Sequence, residues 1–212
     1  MQPPEHVYRI GRNPDPWALL NWIYAHNDGT FGNRYDDPLA KYRVLYAATE
    51  RFGCYVETLA RYRIDPLLAA EMAAIDGEDD FYPLGHVPPE WLSARSLGTA
   101  HITAECADIY NSAWIDRLRI KFLPLLKTFG LTDLDASVLQ TSTPRDVTQK
   151  VSRFIYEEEL NGIRYPSKFG HDIENWAFFE PVSVHRESTA IIEPDDPDFI
   201  RAMALHHLKL GS

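Results

Sequence analysis

Two cysteines, Cys54 and Cys106, are all that the 212 residues contain. They cannot build a disulfide framework, and they lack the C-x-x-C spacing of a zinc site, so reduced thiols are expected. Long apolar runs are missing as well. The longest uncharged stretch, Pro16 to Asn27, has twelve positions and includes two Asn and a His, whereas a membrane span needs ~20 apolar residues. No membrane association is expected. The opening Met1-Gln2-Pro3-Pro4-Glu5 has no basic stretch leading into an apolar core, so it does not read as a secretory signal, and a cytoplasmic protein is expected. Positive charge is scarce: 21 basic residues face 31 acidic ones, a net charge of −10. Such a balance disfavours direct binding to nucleic acid, which draws on clustered Lys and Arg to displace counterions.

Catalytic signatures are equally sparse. There is no G-x-S-x-G elbow, no G-x-x-x-x-G-K-[ST] phosphate loop, no H-E-x-x-H and no G-x-G-x-x-G. The eight His are scattered, and adjacent His206 and His207 fall on different sides of a helix. A packed His206 beside a solvated His207 is expected there rather than a metal site, and no metal or prosthetic group is expected elsewhere. No period of 20 to 50 residues repeats, which excludes solenoids.

What is present is a globular composition, 45% hydrophobic and 12% aromatic, in a chain long enough for one compact domain spanning 1–212. Tyr42 to Ala48 reads as a strand, and Thr49 as the cap of a helix that carries Glu50 in its first turn. That helix runs to about Arg63, with Phe52, Val56, Leu59 and Ala60 on one stripe, Glu57 at the stripe's edge and Pro66 as its end. The turn formers and acids between Ile75 and Pro89 predict a surface excursion and the most mobile segment. Leu97 to Ala104 reads as a strand. A helix from Asn111 carries Trp114, Ile115, Leu118, Phe122 and Leu125, with a kink or boundary at Pro124 and a stop at Gly130. Thr143-Pro144-Arg145-Asp146 opens the best specified helix, buried through Val147, Val151, Phe154 and Ile155. Asn161-Gly162 is expected to end it in a left-handed stop. Ile163 to Tyr165 then forms a short strand broken by Pro166, which leaves Ser167 on a turn. Trp176 to Phe179 reads as a central buried strand, and Asp196-Pro197 as the start of a last helix through Phe199, Met203 and Leu210. Strands and helices mix without strict alternation, which predicts an α+β domain with a mixed β-sheet core flanked by helices.

The residues left for chemistry are dispersed: Tyr8-Arg9, Phe31-Gly32-Asn33-Arg34-Tyr35, Tyr46, Glu57 and Gly162-Ile163-Arg164-Tyr165-Pro166-Ser167. Taken singly, each is ordinary: a lone Glu on a helix is usually solvated, and a strand Tyr usually belongs to the core. Together they resemble the RES domain family, named for an Arg, a Glu and a Ser and best known from bacterial toxin–antitoxin pairs. Thr30 to Pro38 is similar to that family's aromatic-Gly-x-Arg-aromatic-Asn-x-Pro turn, with Asp36 where Asn is more usual. The spacing from Arg34 through Tyr46 to Glu57 fits its pattern. The Ser segment, Asn161 to Ser167, followed by Trp176-Ala177-Phe178-Phe179-Glu180, is the most diagnostic part. The resemblance covers about 8–180 and leaves 181–212 as a C-terminal extension with a helix.

That resemblance implies a fold related to ADP-ribosyltransferases and NAD+ as a substrate rather than a bound cofactor. It implies cleavage of the nicotinamide–ribose bond by hydrolysis or phosphorolysis, or ADP-ribose transfer to a protein. It also implies an antitoxin partner, commonly of the Xre type. The chemistry suits these residue types, because cleavage of a glycosidic bond develops positive charge on the sugar, which a nearby carboxylate stabilises. Glu57 is the candidate for that role. A planar guanidinium suits the pyrophosphate, with Arg34 the first choice and Arg9 the second. Tyr46 offers a ring face to the nicotinamide, and Ser167 a hydroxyl to the ligand or to Glu57. Without a His motif to activate it, Ser167 is not expected to be a nucleophile. Two other classes fit the sequence less well. A non-catalytic nucleotide- or partner-binding module has no need of a carboxylate beside an anionic ligand. A two-carboxylate glycosidase is disfavoured because Asp79-Asp80 and Asp195-Asp196 lie in turn-rich segments.

Overall fold

The computed structural model describes residues 1–27, 29–76, 85–141 and 145–211. In chain order the elements are β1 (Val7–Arg12), β2 (Val44–Ala48), α1 (Arg51–Leu59), α2 (Pro66–Asp76), β3 (Gly85–Val87), α3 (Glu90–Ser93), β4 (Arg95–Thr103) and β5 (Cys106–Asp108). Then follow α4 (Ser112–Leu126), α5 (Ala136–Thr141), α6 (Arg145–Glu157), β6 (Gly162–Ser167), β7 (Gly170–Phe179), β8 (Ser183–Ile191), α7 (Pro197–Leu205) and β9 (Leu208–Leu210). Seven strands form one mixed sheet in the order β5-β6-β7-β2-β1-β4-β8, and β3 pairs with β9 in a small second sheet. The α+β architecture expected from the sequence is the one observed: a mixed sheet flanked by helices.

Alternation along the strands decides where the cores lie. On β7, Trp176 and Phe178 face a core completed by Val7, Trp17, Leu45, Ala47 and Ile102. Ala177 and Phe179 face the opposite way, into the core under α4, α5 and α6. That second side of the sheet is shared by two helical groups. The α4–α6 group covers Ile163, Tyr165 and Ala177, while α1 and α7 cover Ile10, Ala48 and Ile173. The seam between the two groups runs over Tyr46, Ala48, Asn175 and Tyr165. Their register is fixed by the pairs Tyr46–Ala177, Ala48–Asn175 and Tyr165–Asn175.

Gly53 sets how closely α1 approaches this seam. A Cβ there would lie 3.0 Å from Ile173 Cγ2 and 3.1 Å from Ala48 Cβ, so the helix presses on β2 and β7 where it has no side chain. Glu57 follows four residues later on the same helix face. Although it stands about 12 Å along the helix from Thr49 at 1.5 Å per residue, the helix folds back over the sheet and brings Glu57 above Asn175. At the other end of the sheet α7 packs on α1, with the Tyr55 and Phe199 rings 5.7 Å apart and the Tyr55 hydroxyl donating to Asp196 Oδ2 at 3.0 Å.

Several local expectations are corrected. Thr49 does not cap α1. Its hydroxyl donates to Glu174 and accepts from the Trp176 indole, and Glu50 occupies the cap without a side-chain hydrogen bond. The helix ends at Leu59 and tightens into a 3₁₀ turn over Ala60–Tyr62, and Pro66 opens α2 rather than marking only an end. The left-handed residue after α6 is Glu159, with φ 61°, whereas Gly162 begins β6. A Cβ at Gly162 would lie 2.5 Å from the Ala177 carbonyl, so its glycine serves close strand packing. Pro166 does not end its strand: β6 runs through it to Ser167, with a register shift between the two. The last helix stops at Leu205, and Leu210 lies in β9.

Other readings stand as observed elements. Asn111 caps α4 by accepting from Ala113 N at 3.0 Å, and the helix carries Pro124 near its end at Leu126. His206 is buried with Nε2 2.8 Å from the Val56 carbonyl, while His207 is exposed. The Thr143-Pro144 cap and most of the segment expected to be mobile lie outside the described residues. The 181–212 segment is built into the fold: β8 is the edge strand on β4, α7 covers α1, and β9 pairs with β3. No helix among the described residues is long and apolar enough to cross a membrane.

Candidate functional site

The seam opens into a cavity of about 490 Å³. The structure brings Arg9, Arg34, Tyr46 and Glu57 to its wall, together with Asn33, Cys54, Thr58, Arg61, Arg145, Tyr165, Lys168, Phe169 and Asn175. Residues from β1, the loop before β2, α1, the start of α6 and the β6–β7 hairpin thus meet at one place.

Arg34 sits on a turn braced from several sides. The Asp36 carboxylate accepts from the Asn33 backbone at 2.8 Å, from the Asn33 amide at 2.7 Å and from the Tyr46 hydroxyl at 2.9 Å. The same Tyr46 hydroxyl accepts from Tyr35 N at 3.0 Å. An aspartate where the family more often has Asn therefore does a turn-capping job that needs only acceptors. Burial holds the Asp36 carboxyl above the usual carboxylate range, against the opposing pull of these hydrogen bonds. Arg145, at the start of α6, donates to the Gly32 carbonyl and secures the turn from its outer side.

The guanidinium of Arg34 lies 5.9 Å from the centre of the Tyr35 ring and 5.7 Å from that of Tyr165. Burial pulls its pKa down, but Tyr35, Tyr165 and Glu57 outweigh that, and the net shift is upward, so the charge is permanent. Tyr46 and Tyr165 are held well above the usual tyrosine range by burial and act as neutral phenols. Arg9 is anchored differently: Nε donates to the Pro16 carbonyl at 2.7 Å and Nη1 to the Tyr46 carbonyl at 2.5 Å. Burial lowers its pKa from that of a free arginine, yet a guanidinium remains charged. The Cys54 thiol beside it is pushed up to about 12 by burial and donates to the Tyr8 carbonyl, so it is no nucleophile.

Glu57 is solvent-exposed on the cavity side, and its Oε1 accepts from the Asn175 amide at 2.9 Å. Asn175 is itself buried in β7, so a rigid strand orients the one carboxylate of the wall. The electrostatics follow from the lining: Arg9, Arg34, Arg61, Arg145 and Lys168 face a single acid, Glu57. None of the five forms an ion pair with a described residue. A strongly acidic chain has gathered an uncompensated positive cluster around one carboxylate.

Ser167 is placed elsewhere. It is fully buried and does not line the cavity; its hydroxyl accepts from Phe169 N at 3.0 Å, and its carbonyl accepts from Gln140 Nε2 at 3.1 Å. It pins the tight turn that presents Lys168 and Phe169. Sequence reasoning passed over Asn175, Lys168, Phe169, Arg61 and Arg145 as site residues. For Asn175 a signal existed: it is a polar residue directly before the apolar run Trp176 to Phe179, on the strand face shared with Ala177.

A family model described as the RES domain matches residues 6–200. No curated protein matches the chain. Among solved structures, a chain of the M. tuberculosis MbcT-MbcA toxin-antitoxin complex is similar over 95% of this chain and 88% of that one, with a TM-score of 0.53 and 16% sequence identity. At that identity the likeness concerns the fold.

Proposed function

The chain belongs to the RES domain family, and from that premise we propose that it is an enzyme that degrades NAD+ by cleaving the nicotinamide–ribose bond, acting as the toxin of a toxin–antitoxin pair. The observation that carries this reading is the wall of the cavity: among the described residues, five cations without carboxylate partners surround one exposed acid fixed by a buried amide. A dinucleotide asks for both signs, an anionic pyrophosphate for the cations and a sugar that turns cationic during bond breaking for the acid.

In this reading Arg34 and Arg9 grip the pyrophosphate. Arg34 is presented on a braced turn and offers two parallel N–H donors, while Arg9 adds charge from the cavity floor. Tyr46 lends a ring face to the nicotinamide, its hydroxyl being committed to Asp36 and Tyr35 N. Glu57 stands beside the ribose, where its carboxylate binds hydroxyls and stabilises the charge that develops as the bond to nicotinamide lengthens. Asn175 keeps that carboxylate aimed, so no reorganisation is required when charge appears. Ser167 acts from behind, through the Lys168–Phe169 turn. A module that merely held a nucleotide would gain nothing from a carboxylate facing an anion.

The test is NAD+ consumption by the purified protein against Glu57→Ala and Arg34→Ala. Loss of turnover in both variants with folding retained is expected, and equal consumption by all three removes the assignment. Free ADP-ribose, ADP-ribose-1″-phosphate or labelled protein as the product identifies hydrolysis, phosphorolysis or transfer. The antitoxin, expected to be an Xre-type protein by analogy with the family, is tested by co-purification and by restored growth when both are expressed.

A further inference from the structure

A second hollow of about 440 Å³ adjoins the cavity and is lined by Arg63, Lys168, Phe169, Leu205 and His206. Lys168 and Phe169 line both spaces, so the two share a wall. The surroundings of Phe169 limit what the hollow can hold. The Arg63 guanidinium and the Lys168 ammonium each stand 5.0 Å from the ring centre, and His206 meets the ring edge-on at 4.8 Å. The ring is thus already engaged by two cations and an imidazole. It serves as the post on which two cations are steadied, which lowers the ordering cost when they engage a ligand.

Among the described residues no carboxylate lines the hollow, and neither Arg63 nor Lys168 forms an ion pair. Leu205 is apolar. His206 spends Nε2 on the Val56 carbonyl, and burial lowers its pKa, so it adds no charge at neutral pH. What remains is a compact anion site, too polar for an apolar group. We propose that the hollow receives a phosphomonoester carried by the dinucleotide itself, so that the site takes NADP+ as well as NAD+, with Arg63 as the residue that recognises the extra phosphate. This rests on the reading of the main cavity as a dinucleotide site. Arg63 contributes only to the second hollow and does not line the main one, so it separates the two substrates.

The experiment has two arms on the full chain. Calorimetry compares adenosine 2′,5′-bisphosphate, adenosine 5′-monophosphate and inorganic phosphate, and steady-state assays compare NADP+ with NAD+. The bisphosphate is expected to bind about tenfold more tightly than the monophosphate, equivalent to one charge-assisted contact. Arg63→Ala should abolish that preference and lower kcat/KM for NADP+ about tenfold while leaving NAD+ unchanged. Arg63→Glu should reverse the preference. Arg63 is exposed, so these variants are expected to fold, and circular dichroism checks it. Equal affinity for the two nucleotides overturns the proposal, as does a preference that survives both substitutions. Inorganic phosphate binding as tightly as the bisphosphate and lost with Arg63→Ala also overturns it, by assigning the hollow to a free ion. A bisphosphate preference without cleavage of either dinucleotide leaves the subsite standing and sinks the enzymatic reading.

Discussion

Twelve of the fifteen arginines of this protein fall into two groups, while Arg12, Arg63 and Arg95 lie against the Tyr24, Phe169 and Trp91 rings and belong to neither. Those at Arg43, Arg51, Arg117, Arg119, Arg153, Arg164, Arg186 and Arg201 each meet a carboxylate, as in Arg119 with Asp133 at 2.8 Å or Arg186 with Asp15 at 2.7 Å. Those on the cavity wall, Arg9, Arg34, Arg61 and Arg145, meet backbone carbonyls or tyrosine rings instead. Although 31 acids are available to 21 bases, Glu57 is the only acid among the described residues that line this wall. The positive potential of the cavity is therefore a local property, made by cations that meet no carboxylate among the described residues, and it coexists with a net charge that points the other way.

The largest effect should come from the one acid inside the positive region. Glu57→Ala is expected to lower kcat for NAD+ cleavage about 10²- to 10³-fold, the range for removal of a preorganised charge stabiliser. It should hardly change the melting temperature, since Glu57 is exposed. Asn175→Ala, which leaves Glu57 in place but unaimed, should lower kcat more than it alters KM. A drop in melting temperature with kcat unchanged would make Asn175 purely structural. Arg34→Lys keeps the charge but loses the paired donors, and a rise of about tenfold in KM is expected from steady-state kinetics. Arg119→Ala, in the carboxylate-paired population and exposed, should leave both turnover and melting temperature where they were. If it impaired turnover as Arg34→Lys does, the division between the two populations would lose its meaning.

A smaller effect concerns Asp36 and has a defined sign. Burial raises its carboxyl pKa in the folded protein, so between the ordinary value of about 4 and the raised one the folded chain binds more protons than the unfolded chain. Stability therefore falls as pH rises through that window. Asp36→Asn removes the titration and keeps an acceptor for the turn. The difference in melting temperature should move in favour of the variant as pH rises above about 4, and a difference independent of pH would contradict the assignment.

The sequence made the local parts of this arrangement legible and left the convergent parts hidden. The strand at β2, the helix carrying Glu57 and the start of α7 follow from short-range patterns, and the spacing of Arg34, Tyr46 and Glu57 suggested one family. β8 went unread because its outward residues, from His185 to Ser188, are polar and exposed, so it lacks the alternation that marks a half-buried strand. Thr49 looked like a cap because its competing partners, Glu174 and Trp176, lie more than a hundred positions away. Lys168, Arg61 and Arg145 stayed hidden because they line the cavity only once the hairpin, α1 and α6 have docked. Ser167 shows the converse: a turn is recognisable from sequence, but whether its hydroxyl faces a ligand or the backbone depends on the register shift after Pro166.

The most direct test is a crystal structure of Glu57→Gln soaked with NAD+. The account predicts the pyrophosphate against Arg34 and Arg9 and the nicotinamide-bearing ribose beside position 57 and Asn175. A dinucleotide bound outside the seam, or lying within it with its ribose turned away from position 57, would contradict the account.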